Sequence, residues 1–292
     1  MATLQDIRRR ITSTQNTKKI TKAMEMVAAA KLRRAQQRIE ALRPYAIDMV
    51  EMMRNLATYS GEQRNYQLLR ERDEERTVAL VAMTGDRGLA GAFNANVVRA
   101  VVEAERSLRA QGREVRLVAV GKKGIGTLRF RRFELAHIWQ GLSDHPQYGD
   151  AQAIAAYLVD LYVSGEVDRV RLVCNHFESA LEQQLTDVTI LPIPREQVTD
   201  GERRRGPVTY MYEPDADTIF KKLLPAYVEI AIYRALLESS ASEQGARMTA
   251  MRNASESAEE MLDSLTMALN RARQATITQE ILEVVAGADA LG

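Results

Sequence analysis

Residues 237–276 read LESSASEQGARMTAMRNASESAEEMLDSLTMALNRARQAT and contain no proline. Small, apolar and a few polar residues recur in this stretch at alternating intervals of four and three, the spacing of the contact seam in a left-handed coiled coil. The stretch therefore predicts a long helix that packs closely against a second helix. The seam positions are Leu237, Ala241, Gln244, Met248, Met251, Ser255, Ala258, Leu262, Leu265, Leu269, Ala272 and Thr276.

A second long helical pattern near the other end of the chain offers the partner for this helix. Residues 1–43 contain 11 basic and three acidic residues, a net charge of +8, whereas residues 215–292 contain seven basic and 12 acidic residues, a net charge of −5. Opposite charge favours pairing of the two ends with each other over self-association. The N-terminal seam is Ala35, Ile39, Leu42, Ala46, Met49, Met53 and Leu56.

Between the two helical ends the pattern alternates between apolar strands and helices, which predicts a mostly parallel, Rossmann-like sheet covered on both faces. Strands are expected at 77–83, 115–120, 170–175 and 185–193, helices at 94–110 and 151–163, a loop at 121–126 and an irregular or β stretch at 133–139.

These patterns divide the chain into five segments. Pro44 is expected to kink the first helix without ending it, because the seam continues beyond it. Asp215 and Asp217 favour initiation of the last helix, and Pro225 is expected to mark a break or its first turn. The segments are a helix at 1–58, a connector at 59–76, an α/β domain at 77–194, a polar loop at 195–214 and a helix at 215–292.

Composition narrows the possible classes of protein. The 292 residues include 5% aromatic and 27% charged residues and one cysteine, Cys174, in an apolar run where a buried thiol is expected. One cysteine excludes an intrachain disulfide and a cysteine-based metal cluster, and His137, His145 and His176 lack metal-site spacing. We expect no metal and no cofactor. No apolar run approaches the ~18 to 20 residues that a membrane span needs.

Two glycine-rich turns invite a comparison with nucleotide-binding sites. Gly85, Gly88 and Gly91 are each three residues apart, which differs from the Gly-x-Gly-x-x-Gly fingerprint, and residues 121–127 lack the P-loop spacing. Asp86 and Arg87 form either a solvated pair or a contact with another subunit, and the pattern leaves both open. Because no nucleophile and base converge, the chain does not resemble an enzyme on its own.

Eleven cations in the first 43 residues also fit a nucleic-acid-binding helix. Against this alternative, the first forty residues contain no aromatic residue for base stacking, and the acidic partner helix gives the cations an internal role. A basic coiled-coil binding protein and a Rossmann-type nucleotide-binding enzyme remain the alternatives.

Several motifs resemble the gamma subunit family of the F-type ATP synthase. The longest are ITQEILEVVAGADA at 277–290 and NTKKITKAMEMVAA at 16–29. SEQGARM at 242–248, NRARQ at 270–274 and DRGL at 86–89 also match, and the order of elements agrees along essentially the whole chain. The resemblance implies an antiparallel coiled coil of the two terminal helices, with the α/β domain at its base.

The resemblance also implies a function and partners. The coiled coil would turn inside a ring of alpha and beta subunits, and its base would contact the epsilon subunit and the c-subunit ring. Flow of protons or sodium ions would turn the chain, which would transmit torque to the catalytic beta subunits without being an enzyme itself. The absence of a presequence favours a bacterial complex on the cytoplasmic face of the plasma membrane, with only peripheral membrane attachment and no nucleic-acid partner.

The family pattern assigns expected roles to nine residues, and for each of them ordinary packing remains the other possibility. Those expected to contact beta are Arg273, Gln274, Met24, Lys19 and Lys22. Those expected in the base, near epsilon and the c ring, are Asp86, Arg87, Tyr210 and Glu213.

Overall fold

A computed structural model describes residues 3–59, 66–72, 74–179, 182–194, 213 and 215–289, without the side chains of 57–59 and 287–289. The chain divides into two compact units. The smaller unit comprises residues 1–28 and 247–292, and the larger unit comprises residues 29–246. Each of the two long helices contributes to both units.

Helix α1 (Leu4–Tyr59) begins at a reciprocal cap. The amide of Asp6 donates to the Thr3 hydroxyl at 3.2 Å, and the amide of Thr3 donates to the Asp6 carboxylate at 3.1 Å. Two amides that lack helical partners are satisfied in this way. The Thr3 hydroxyl also holds the pKa of Asp6 below its ordinary value. Pro44 lies inside α1, so the helix continues through the proline as its seam predicts.

The last helix, called α5 here (Ala216–Asp289), begins after Asp215, whose carboxylate accepts the Thr218 amide and hydroxyl, each at 2.8 Å. Pro225 lies inside α5, so the expectation of a break or first turn there is wrong. Phe220, Leu224 and Val228 are all buried in the core. Packing of the turns on both sides of the proline therefore outweighs its poor helix propensity.

The larger unit contains a five-stranded sheet of order β3-β2-β1-β4-β5, in which only the β4–β5 pair is antiparallel. This mixed, Rossmann-like sheet between long terminal helices confirms the expected fold class. Its elements are β1 (Thr77–Met83), α2 (Phe93–Ala110), β2 (Glu114–Val120), α3 (Lys122–Phe130), β3 (His137–Trp139), α4 (Tyr148–Val163), β4 (Arg169–Phe177) and β5 (Gln183–Leu191).

Residues 121–126 were expected to be a loop, but most of them belong to α3. Gly121 precedes this helix with a φ of 94°, and a Cβ at Gly121 would lie 2.0 Å from the Thr84 carbonyl oxygen. Within α3, a Cβ at Gly124 would lie 2.4 Å from the Thr84 hydroxyl. These two glycines therefore permit close packing of the helix on the β1 end, which explains a glycine-rich sequence that is not a ligand loop.

Side chains from both faces of the sheet form two apolar clusters. Val81 of β1 packs in one cluster with α4 and with the long helices, and its neighbour Leu80 packs in the other with α2 and α3. The first cluster includes Met53 of α1 and Phe220 of α5, both almost fully buried. The long helices thus share the hydrophobic core of the sheet. Part of the expected polar connector also enters this core, because Leu69 in a short 3-10 turn (Gln67–Leu69) is buried.

In the smaller unit, α1 and α5 are antiparallel, as expected. The predicted C-terminal seam is buried or half-buried there from Met251 to Ala272, but Thr276 is exposed, so its assignment to the seam is wrong. The contacts Thr21–Ser255 and Lys18–Glu259 set the register of the pair. Extended along the helices, this register places residue 272 opposite residue 4, where α1 begins.

We predict that Gly121→Ala destabilises the chain by about 3 kcal/mol, because a Cβ adds strain at positive φ and a clash with the Thr84 carbonyl. Denaturant unfolding of the full chain measures the change in the free energy of unfolding. Gly126→Ala is the matched control, since Gly126 lies within α3 and a Cβ there meets no atom within 4 Å. An equal loss in both variants would contradict the packing role.

Candidate functional site

The helix pair of the smaller unit is joined through a group of polar residues that we call the polar seam. The Thr21 and Ser255 hydroxyls lie 2.7 Å apart in a buried position. On either side of them, Lys18 pairs with Glu259 at 2.7 Å and Arg252 pairs with Glu25 at 3.3 Å. The polar seam consists of Lys18, Thr21 and Glu25 from α1 and Arg252, Ser255 and Glu259 from α5.

The polar seam fixes which residues of the two helices face each other. Each buried hydroxyl or carboxylate needs its partner, whereas apolar side chains tolerate displacement along the helix. Lys22 adds a hydrogen bond to Glu25 at 3.0 Å. This bond, more than the opposing effect of burial, holds the pKa of Glu25 below its ordinary value.

The residues expected to contact beta fall into two separate groups. Lys19 and Lys22 are exposed and Met24 is half-buried, all three near the polar seam. Arg273 and Gln274 are exposed on α5. In the observed register Lys19 faces residue 257, so Arg273 lies 16 residues, or roughly 24 Å, farther along the helix. The structure therefore does not bring the two groups together.

The two helices of the smaller unit carry many exposed large apolar side chains. They occur on the helix pair and on the part of α5 beyond residue 272, which extends past the start of α1. Isolated exposed apolar residues are common on soluble proteins, but a concentration of them on one element marks a surface that another protein covers. These residues are Ile20, Met26, Val27, Met261, Met267, Ile277, Ile281, Leu282, Val284 and Val285.

In the larger unit, Asp86 organises the turn that follows β1. Its carboxylate accepts the amides of Lys122 and Gly141, each at 2.9 Å, and that of Ser143 at 3.0 Å. Burial alone would raise the pKa of Asp86, but these amides and the Ser143 hydroxyl outweigh it and hold the pKa below the ordinary value. Asp86 is thus an internal anchor in this structure, and its role toward another subunit stays a prediction.

The loop that Asp86 holds, residues 141–146, is named the clasp loop here. Asp144 in this loop pairs with Lys31 of α1 at 3.0 Å and with Arg87 at 3.1 Å, and it accepts Gln244 of α5 at 3.5 Å. Arg87 therefore pairs with Asp144 and not with its neighbour Asp86. The clasp loop connects the turn after β1 to both long helices.

A buried carboxylate covers the glycine turn at the end of β1. The carboxyl carbon of Glu243 lies 2.6 Å from the position of a Cβ on Gly85, and the Glu243 side chain is buried. In Rossmann-type sheets, phosphates bind beside such a turn at the carboxyl ends of the strands. A carboxylate at this position fills the space and repels a phosphate.

Two further expectations concern the base. Tyr210 lies outside the described residues, and Glu213 is exposed.

Cys174 is buried, and burial raises its pKa to about 11 despite the Thr186 hydroxyl nearby. Within the described ranges, no cluster of His, Cys, Asp and Glu could hold a metal ion.

Sequence reasoning missed the polar seam of α1 and the clasp loop. The seam spacing of four and three continues from Ala35 back through Leu32, Ala28, Glu25, Thr21 and Lys18, so the period was present. Its polar members hid it from a search for apolar residues. The clasp loop joins residues more than 50 positions apart and has no periodic signal.

Two long terminal helices, antiparallel in the smaller unit, and a small Rossmann-like sheet in the larger unit define a distinctive class of fold, and comparisons with known proteins identify it. The family model described as ATP synthase matches residues 3–291. The ATP synthase gamma chain of Moorella thermoacetica is 46% identical over 294 residues, covering 100% of both chains. That of Desulforamulus reducens is 44% identical over 292 residues, again covering 100% of both chains. The chain therefore belongs to the ATP synthase gamma chain family.

Solved structures agree with this assignment. A chain of the central stalk and c-ring structure of Tetrahymena thermophila mitochondrial ATP synthase is 31% identical, with a TM-score of 0.59 and coverage of 81% of this chain and 99% of that one. A chain from the Euglena gracilis mitochondrial ATP synthase OSCP/F1/c-ring structure has a TM-score of 0.67 and covers 99% of this chain and 94% of that one. At 19% identity it supports the fold alone.

We predict that Asp86→Asn destabilises the full chain by about 2 kcal/mol at pH 7, because the charged acceptor of three backbone amides is lost. The folded-state pKa of Asp86 is depressed, so the advantage of the wild type is fully present above its ordinary value of 3.8 and declines as the pH falls below it. Denaturant unfolding at a series of pH values measures this difference. An equal loss in Asp160→Asn, at an exposed position of α4, would contradict the prediction.

For the polar seam, we predict that Thr21→Val and Ser255→Ala each cost about 1 kcal/mol, because each leaves a buried hydroxyl facing a methyl group. The double variant should lose less than the sum by about 1 kcal/mol, as expected for contacting residues. Thermal unfolding of the four proteins of this cycle provides the measurement. Thr276→Val, at an exposed position of α5, is the control, and strictly additive losses would refute a direct interaction.

Proposed function

We propose that the chain, a central-stalk subunit of ATP synthase by its family, works as a rotor that transmits torque between an ion-driven c ring and the catalytic beta subunits. It contributes no catalytic group of its own, and ATP is made or hydrolysed on beta. The partners are the alpha, beta and epsilon subunits and the c ring. The complex belongs on the cytoplasmic face of a bacterial plasma membrane.

One observation supports this function above the others: the smaller unit exposes large apolar side chains on the helix pair and on the part of α5 beyond it. A concentration of exposed apolar side chains marks a surface that other proteins cover. A ring of subunits around the pair would do so, and unequal sides of the pair would then contact each beta subunit differently. Differential contact is what allows a rotating element to change the conformation of its partner.

Attachment to the membrane is proposed through the other subunits of the complex. In the described part of the chain, no helix combines the length and the apolar character that crossing a bilayer requires. The base residues expected near epsilon and the c ring, Asp86, Arg87, Tyr210 and Glu213, keep that role as a proposal. For Asp86 and Arg87 the role would be indirect, because both hold the clasp loop.

The two alternative functions receive less support. A nucleotide-binding enzyme would need space for a phosphate at Gly85, which Glu243 occupies. The nucleic-acid alternative loses part of its basis, because Lys18 and Lys22 of the basic helix pair with Glu259 and Glu25 within the chain.

We predict that Arg273→Gln lowers ion-gradient-driven ATP synthesis about tenfold in membrane vesicles that contain the assembled complex. A tenfold loss corresponds to the removal of one contact that contributes about 1.4 kcal/mol. Gln274→Ala should act in the same direction. Both residues are exposed, so the helix pair should keep its stability.

The matched control for this experiment is Arg271→Gln. Arg271 is also exposed on α5 and has the same charge, but two residues along a helix turn it by about 200° to another face. Unchanged synthesis in Arg273→Gln, or an equal loss in Arg271→Gln, would refute contact of Arg273 with beta.

A further inference from the structure

The clasp loop forms hydrogen bonds to both long helices through its backbone as well as through Asp144. The Ser143 carbonyl oxygen accepts the Ser240 hydroxyl of α5 at 2.7 Å. The Pro146 carbonyl oxygen accepts the guanidinium of Arg38 of α1, and the same guanidinium donates to the Tyr233 hydroxyl of α5 at 3.2 Å. The Ser143 carbonyl, the Asp144 side chain and the Pro146 carbonyl of the loop therefore each contact a long helix.

The other side of the clasp loop is fixed to the sheet. Asp86 accepts the Gly141 and Ser143 amides, and the Asp86 amide donates to the Ser143 hydroxyl at 2.9 Å. The loop also follows directly on β3, and the amide of Gly121 at the end of β2 donates to the Trp139 carbonyl oxygen at 2.8 Å. The first part of the loop is therefore held at the carboxyl ends of β1, β2 and β3.

The direction of these contacts matters for a part that turns. The apolar cluster shared by the long helices and the sheet resists separation, but the hydrophobic effect that stabilises it is not directional. Hydrogen bonds and ion pairs lose strength steeply when their geometry changes, and those involving charged groups are the strongest. In the larger unit, β4 makes such directional contacts with α5, through His176–Glu238 at 2.6 Å and the Ser242 hydroxyl, which donates to the Asn175 carbonyl oxygen at 3.4 Å. The clasp loop makes them with both long helices.

We propose that the clasp loop is a joint through which torque passes between the sheet and both long helices, with Asp144 as its central positioning residue. Asp144 joins three elements, because Lys31, Arg87 and Gln244 belong to α1, the turn after β1 and α5. The edge of the sheet that binds ligands in Rossmann-type enzymes is used here to hold the helices. This proposal rests on the proposed rotor function.

The test compares Asp144→Asn with Asp187→Asn in the assembled complex in membrane vesicles. Asp187 is a matched control because its side chain is 31% exposed against 23% for Asp144, and its partner Arg171 lies within the sheet. For each complex we would measure ATP synthesis driven by an imposed ion gradient at increasing ATP-to-ADP ratios. ATP hydrolysis by the detached catalytic head and the amount of this chain in the complex would be measured in parallel.

We expect Asp144→Asn to lower the ratio of synthesis to head hydrolysis about fivefold, the lower end of couplings between distinct protein sites, while Asp187→Asn leaves it unchanged. The deficit should grow with the ATP-to-ADP ratio, because a weakened joint yields more under a greater opposing load. If Asp144→Asn only reduced the amount of folded complex, synthesis would instead fall by the same factor at every ATP-to-ADP ratio.

Two results would overturn the joint: equal behaviour of the two variants, or a deficit in Asp144→Asn that does not change with load. A wild-type complex that lacks this chain, or that makes no ATP from the gradient, would instead overturn the proposed rotor function and the joint with it. The two failures are therefore distinguishable.

Discussion

Close approach of two antiparallel helices is the constraint on which the smaller unit depends. The seam of α5 contains Ser255 and Ala258 where a larger side chain would force the helices apart, and the buried Thr21–Ser255 contact compensates for the polarity of the small residues. With apolar contact reduced, register depends on hydrogen bonds and ion pairs. Large apolar side chains such as Ile20 and Met261 are left exposed outside the seam.

Periodic features of the sequence predicted most of the fold, because helix seams and alternating strands repeat over short distances. The seam of α5 and the strands were visible in this way, and the cap at Asp215 was visible from the preference of carboxylates for helix starts. The expectations at Pro225 and at residues 121–126 were wrong because packing outweighs local propensity there. At Pro225 the packing is that of Phe220 and Val228, and at residues 121–126 it is that of Gly124 on Thr84. The clasp loop could not be predicted, since Asp144 meets Lys31 and Gln244 only after folding.

The same sheet architecture serves different purposes depending on what occupies the carboxyl ends of its strands. Enzymes of the Rossmann type leave this edge open and place glycines where a phosphate approaches. Here Glu243 and the clasp loop fill the edge, and glycines at 121 and 124 accommodate Thr84 in place of a ligand. A glycine-rich turn from a strand to a helix can therefore serve close packing within one chain as well as phosphate binding. The charge of the surrounding side chains distinguishes the two cases.

The burial of Cys174 has a practical consequence for observing the chain at work. Burial raises the pKa of its thiol to about 11, so the thiolate, which is the reactive form, is scarce at pH 7. The sequence has no second cysteine. Within this chain, a cysteine placed at an exposed position would thus react selectively with a fluorescent or bead-bearing maleimide, so the subunit could be labelled for single-molecule recordings of rotation without first replacing Cys174.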